Sequence, residues 1–134
     1  MKISSESNYA IRIVFYICHT QSHILSGKEI IRNCSIPEKL GLKILTKLST
    51  SKILISTKGV HGGFKIGRKP IDISLYDVIS IFDQIEISRC IEKSEECVHR
   101  DNNCIIYSEF KNIKNDLIQK FSSISFQNLL DKKK

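Results

Sequence analysis

A chain of 134 residues with 41% hydrophobic content can hold one domain with a real core, or one compact domain with an appended element, and it contains no repeat of solenoid length. No membrane span is expected: the longest apolar run near the start, Ile13 to Cys18, is far too short and precedes no small-residue cleavage site. The net charge of +7 is uneven, since residues 1–69 carry 12 Lys+Arg against 3 Asp+Glu (+9) and residues 70–134 carry 9 against 11 (−2), so the first half is where a polyanion would bind.

Ser5 or Ser7 can open a first helix, with Tyr9, Ala10, Ile13, Val14, Ile17 and Cys18 on its apolar face and Gln21-Ser22-His23 as the loop beyond. Ser26 then caps a short second helix, Lys28 to Asn33, with Glu29 at the third position. Ser35-Ile36-Pro37-Glu38 repeats that start signal, with Ser35 as cap and Glu38 at N3. The third helix is predicted to run to about Ser49 and to bury Ile36, Leu40, Ile44, Leu45 and Leu48. Lys39, Lys43 and Lys47 form a row on its polar side, for which a merely solvated face is the bland alternative. Gly41 costs this helix about 1 kcal/mol relative to alanine.

Ile53 to Thr57 is β-branched and strand-like, Lys58 to Gly63 is a glycine-rich turn, and Phe64-Lys65-Ile66 alternates, which predicts a β-hairpin with a basic tip. Two short helices, a basic helix and a basic-tipped hairpin, in that order, describe a winged helix-turn-helix. In such a unit the third helix enters the major groove and the hairpin lies along the backbone or in the minor groove. A membrane surface would also attract the basic half. The apolar residues there fall into several short elements rather than one amphipathic helix, which favours nucleic acid. The residues expected to touch DNA are Lys39 and Lys43 of the third helix with Lys58, His61, Gly62 and Gly63 of the wing.

Ser74 caps a further helix with Asp77 at N3 and Leu75, Val78, Ile79 and Phe82 inward. Beyond a cysteine-containing stretch, Ile106, Phe110, Ile113, Leu117 and Phe121 make an apolar seam on a helix of about 18 residues. Burial inside the protomer and pairing with a second protomer are equally good readings of that seam. Ser125 to Leu130 closes the chain as a short helix.

Cys90, Cys97 and Cys104 form a C-x6-C-x6-C array. The text between them has no apolar stripe and is predicted as loop from Ser88 to Cys104, so the sulfurs could fold back to one point. Arg89, Lys93, His99 and Arg100 favour thiolates, which suit an iron–sulfur cluster or, with His99, a closed zinc site. Unligated thiols remain a third reading. Five cysteines, an odd count without a secretion signal, place the chain in a reducing cytosol where thiols bind metal or sense redox state. Cys18 and Cys34 are expected to be small core residues. An enzyme is not expected: Gly59 to Gly63 is neither a dinucleotide fingerprint nor a P-loop, and the thiols include no C-x-x-C pair.

Three segments resemble one family: Ser7-Asn8-Tyr9-Ala10-Ile11-Arg12, Ser35-Ile36-Pro37-Glu38-Lys39, and the wing Ser56 to Phe64 with its basic residue, glycine, two variable residues, two glycines and aromatic. The closing Ser125 to Leu130 is similar as well. The family is the Rrf-two (Rrf2) group of winged-helix transcription regulators, of the IscR, NsrR and CymR kind. The resemblance implies a homodimer joined through the long helix, a palindromic operator on double-stranded DNA, and a two-iron or four-iron cluster on Cys90, Cys97 and Cys104. The chain departs from the pattern at the fourth ligand. Tyr107 stands where IscR-type members place a histidine, and the first helix offers Asn8 and Arg12, with Glu6 and Ser5 nearby. His99, solvent or a small molecule could serve instead, and a CymR-like thiol regulator without a cluster is the alternative. The expected whole is mainly α with a small β-hairpin: a winged helix-turn-helix over residues 1–70, and a cysteine-loop sensor with a dimerisation helix over 71–134.

Overall fold

The computed structural model describes residues 2–20, 23–93, 95 and 104–133. In chain order its elements are α1 (Ser5–His19), α2 (Gly27–Cys34), α3 (Glu38–Thr50), β1 (Leu54–Thr57), β2 (Gly63–Ile66), a 3-10 turn (Pro70–Asp72), α4 (Leu75–Phe82), α5 (Arg89–Glu92), α6 (Ile105–Ser123) and α7 (Phe126–Lys133). The order is that of a mainly helical chain with one small hairpin, as the sequence predicts.

Local signals account for most helix starts. Ser4, one residue earlier than expected, caps α1 by accepting from the Ser7 N–H at 3.2 Å. Ser26 caps α2 through the Glu29 N–H at 3.1 Å. At α4 the box is complete: the Ser74 hydroxyl accepts from the Asp77 N–H at 3.0 Å, and the Asp77 carboxylate accepts from the Ser74 N–H at 2.9 Å. Ser35 behaves differently from its expected role as cap of α3. It ends α2 in a left-handed conformation (φ 55°), its N–H returned to carbonyls of the last α2 turn, and Pro37 precedes α3 without a side-chain cap. The sharp turn between α2 and α3 claims this serine before α3 can use it.

Gly41 is explained by packing rather than by turn geometry. A Cβ there would lie 2.7 Å from Ile31, so its absence lets α3 seat against α2. That close approach is what the unfavourable propensity of a mid-helix glycine is exchanged for.

β1 and β2 pair antiparallel, with Leu54 opposite Ile66 and Ser56 opposite Phe64. On its other edge Phe64 exchanges two backbone hydrogen bonds with Leu25, at 2.9 and 2.8 Å, which fastens the wing to the segment before α2. The core lies among α1, α2, α3 and α4 and takes residues from both halves of the chain: Ile13, Val14, Ile30, Ile44, Leu45 and Leu48 meet Ile73, Val78 and Phe126. Phe126 is fully buried because α7 returns to lie against α1. Its arrival is guided by backbone bonds that tie Ile73 and Leu75 to the segment leading into α7.

The cysteine-bearing stretch departs from the loop expected over Ser88 to Cys104. Arg89–Glu92 form one helical turn, α5, with Cys90 inside it. Glu92 holds this turn by accepting from the Ile87 and Ser88 N–H groups, both at 3.3 Å, and by an ion pair to Lys114 of α6. No apolar period marks such a turn, since a carboxylate and a lysine 22 residues away fix it. α6 packs on α4 and α5, yet none of its 19 residues is buried.

Candidate nucleic-acid interface and cysteine shoulder

α3 turns Gly41, Ile44, Leu45 and Leu48 into the core. Lys39, Leu42, Lys43, Thr46 and Thr50 are left exposed. The lysine row is not uniform along that surface. Lys39 has no ion-pair partner among the described residues and stands free at the N-terminal end. Lys43 and Lys47 both lean on Glu6 of α1, at 3.4 and 3.7 Å, and Lys47 also sits 5.4 Å from the centre of the Phe82 ring. The third lysine therefore faces α1 and α4 rather than sharing one solvent face with Lys39. Glu6, which sequence reasoning weighed only as a neighbour of candidate metal ligands, is the counter-charge of the α3 lysines. Its signal was present: it is one of only three acidic residues in the basic half.

The wing places Lys58 and His61 at an exposed tip, with Val60 97% exposed between them. Gly62 and Gly63 are demanded by the backbone itself. A Cβ on Gly62 would lie 2.1 Å from the Thr57 carbonyl oxygen, and one on Gly63 would lie 2.2 Å from that of Leu25. Both glycines are accounted for by close backbone approach within the hairpin and to the Leu25 strand, whatever else they touch.

No local pattern announces the junction at Asp83. This residue ends α4, and one of its carboxylate oxygens accepts from the Ser4 N–H (3.0 Å), the Ser4 hydroxyl (2.9 Å) and the Ser7 hydroxyl (2.5 Å). Burial opposes its ionisation, but the Ser7 and Ser4 hydrogen bonds together outweigh it and hold the carboxyl below its usual range. Ser7 is fully buried, and this carboxylate is its acceptor. The contact joins the end of α4 to the first turn of α1, the same turn that carries Glu6.

The cysteines divide into two kinds. Cys18 and Cys34 are 6% and 4% exposed, as expected of core residues. Burial pushes the Cys18 thiol up to about 11 and raises that of Cys34 against the opposing pull of Arg12, so both are held as unreactive thiols. Cys90 and Cys104 are half-exposed and free of disulfides. Cys90 lies in α5 with its sulfur 3.1 Å from the Ser88 hydroxyl, and Cys104 occupies the residue before α6. Cys97 and His99 lie outside the described residues. Among the described residues no three candidate ligands are grouped as a metal would need. The donor type, soft sulfur on the two flanks of one stretch, is one that suits an iron–sulfur cluster and zinc alike. The ion pair with Lys114 holds the Glu92 carboxyl below the usual range and ties the Cys90 turn to α6.

A family model described as an iron-dependent transcriptional regulator, Rrf2, matches residues 3–132. A protein of Aquifex aeolicus assigned as an HTH-type transcriptional regulator is 25% identical over 133 residues, covering 98% of this chain and 92% of that protein. Among solved structures, T. potens IscR matches with a TM-score of 0.77 and 18% identity, over all of this chain and 89% of its own. CymR, the global cysteine regulator of B. subtilis, matches with a TM-score of 0.71 and 18% identity, over 96% and 95% of the two chains. These likenesses show the winged-helix fold. No helix among the described residues is long and apolar enough to cross a membrane. With nearly its whole length matched by the family model, the chain belongs to the Rrf2 family of transcriptional regulators, which are DNA-binding proteins and not enzymes.

Proposed function

We propose that this protein is a cytoplasmic, homodimeric repressor. Its grip on a palindromic operator would be set by an iron–sulfur cluster on Cys90, Cys97 and Cys104, and its signal would be nitric oxide, redox state or iron–sulfur supply. The observation that carries the reading is the contrast among thiols. Cys90 and Cys104 are half-exposed on the two flanks of one stretch, while Cys18 and Cys34 are sealed in the core. A cluster bound there would supply an oxidisable, nitrosylatable inorganic centre.

The chain's own contacts supply a continuous route from that place to DNA. Glu92 ties the Cys90 turn to Lys114 of α6, α6 lies on α4, Asp83 at the end of α4 holds Ser4 and Ser7, and Glu6 of the same α1 turn holds Lys43 and Lys47 of α3. A shift of α5 would reach α3 through these pairs. Lys39, Lys43, Lys58, His61, Gly62 and Gly63 are the residues proposed to meet the duplex, mostly at phosphates, so that affinity falls steeply with salt.

A cluster-free thiol regulator of the CymR kind is the second reading. It is favoured by Tyr107, an unpromising ligand at the position where IscR-type members place a histidine. Anaerobic purification separates the readings. Absorption at roughly 320–460 nm with stoichiometric iron and sulfide supports the cluster. Colourless protein with stoichiometric zinc replaces it with a zinc site, and colourless metal-free protein favours the thiol switch. Gel shifts of loaded and unloaded protein on the promoter upstream of its own gene then test the coupling. Equal affinity of the two forms for that promoter removes it.

A further inference from the structure

We infer that the middle of α3 reads thymine methyl groups, with Leu42 as the side chain that sets this preference. The inference rests on the proposed entry of α3 into the major groove and says what kind of base the helix selects there.

Along the surface that α3 keeps out of the core, Leu42, Thr46 and Thr50 form a strip poor in hydrogen-bond donors. Leu42 is 46% exposed, an apolar side chain at the centre of a helix that buries Ile44, Leu45 and Leu48 and half-buries Leu40. The Thr46 hydroxyl gives its proton to the Leu42 carbonyl at 2.9 Å, and the Thr50 hydroxyl gives its proton to the Thr46 carbonyl at 3.0 Å. Each threonine therefore has a methyl group and an oxygen lone pair to offer, but no proton. Lys43 and Lys47, the donors beside this strip, turn their ammonium groups toward Glu6.

The groove edges of the bases sort themselves against such a strip. Guanine shows acceptors, N7 and O6, and needs donors that the strip lacks. An A·T pair shows the thymine C5-methyl, which fits Leu42 and the threonine methyls, and the adenine N6 donor, which a threonine lone pair can accept. The end of Leu42 lies beside Gly27 at the start of α2, 3.6 Å from where a Cβ on that residue would be. Lys39, one turn earlier, remains available for a phosphate or a purine acceptor.

The test uses the intact protein and its own promoter duplex, narrowed by footprinting. Each protected thymine is replaced in turn by deoxyuridine, which removes the methyl and nothing else. Wild-type protein is expected to lose about fourfold in affinity at one or two positions per half-site, the worth of one buried methyl-sized group. The loss should be the same at low and high salt, because no charge is involved. Leu42→Ala should bind the thymine and deoxyuridine duplexes equally at those positions, whereas Leu42→Met, which keeps apolar bulk, should retain the difference. Wild-type protein indifferent to every deoxyuridine, or Leu42→Ala still sensitive to one of those positions, overturns the inference while leaving DNA binding intact. Failure of the wild type to bind the thymine duplex at all overturns the placement of α3 in the groove, and this inference with it.

Discussion

The winged head and α6 draw on the same kind of apolar sequence and end in opposite states. In the head, Ala10, Ile13, Val14, Ile30, Ile44, Leu45 and Leu48 are wholly removed from solvent. In α6 no residue is buried, and Ile105, Ile106 and Ile113 remain 78%, 63% and 48% exposed. Phe110, Leu117 and Phe121 of the same helix are half-buried. Period alone cannot tell these cases apart, because a helical stripe reports that a face needs cover and not what covers it. The head covers its stripes with its own helices and with α7. Within one protomer α6 stays partly bare, which is the physical basis for the proposal that a second copy of the chain covers it.

Two substitutions, one in each region, break or sharpen this contrast, and they have the largest expected effects. Phe126→Ala should lower unfolding stability by about 3–5 kcal/mol, since it empties a fully enclosed aromatic site where α7 meets the head. The urea midpoint checks it. Ile113→Lys should leave that midpoint nearly unchanged, yet convert the protein to a monomer by sedimentation. It should weaken operator binding on the order of 100-fold, because one half-site no longer raises the effective concentration at the other. An Ile113→Lys protein that stays dimeric would return the α6 seam to the protomer and dissolve the contrast.

The same division explains what the sequence could and could not convey. Elements whose instructions are local were legible: Ser26 with Glu29, Ser74 with Asp77, the hairpin from Ile53 to Ile66, and the α6 period. Ser35 was misread because a cap signal and a left-handed helix end draw on the same small polar residue, and the packing of α3 on α2 decides between them. Asp83, Glu6 and Glu92 were missed as organising groups for a different reason. Their partners lie 76, 37 and 22 residues away, and no periodicity encodes a pairing of that span. The cysteine array was legible as chemistry, but the helical turn around Cys90 depends on Lys114 and so was not.

The Asp83 junction gives the next largest effect, and it sharpens the contrast by testing how the head is joined to the elements that carry α6. Asp83→Ala removes the acceptor of the fully buried Ser7 hydroxyl and should cost about 1–3 kcal/mol at pH 7. The sign of its pH dependence follows from the direction of the carboxyl's displacement. A carboxyl whose folded value lies below its ordinary 3.8 stabilises the fold fully above that pH and loses the contribution as pH falls through the lower, folded value. The gap in urea midpoint between the parent and Asp83→Ala should therefore be complete at pH 7 and shrink below about pH 4. A gap as wide at pH 3 as at pH 7 would mean that the ionised form of Asp83 is not what holds Ser4 and Ser7.

The smallest effects belong to the charges on the head, where the contrast becomes one between cations already paired and cations left free. Glu6 competes with phosphates for Lys43 and Lys47, whereas Lys58 at the wing tip has no such tether among the described residues. An exposed ion pair is worth about 0–1 kcal/mol, so releasing the lysines should raise operator affinity by only about threefold. The salt dependence is the more diagnostic quantity. Glu6→Gln should steepen the slope of log affinity against log salt by about one, as a further phosphate contact replaces a counterion. Lys58→Ala should flatten it by about one and weaken binding alike on operator and on unrelated duplex. Fluorescence anisotropy across a salt series measures both. If Glu6→Gln leaves the slope unchanged while Lys58→Ala flattens it, the phosphate-facing cations are those of the wing and Lys39, and the pairing with Glu6 serves only to seat α3 against α1.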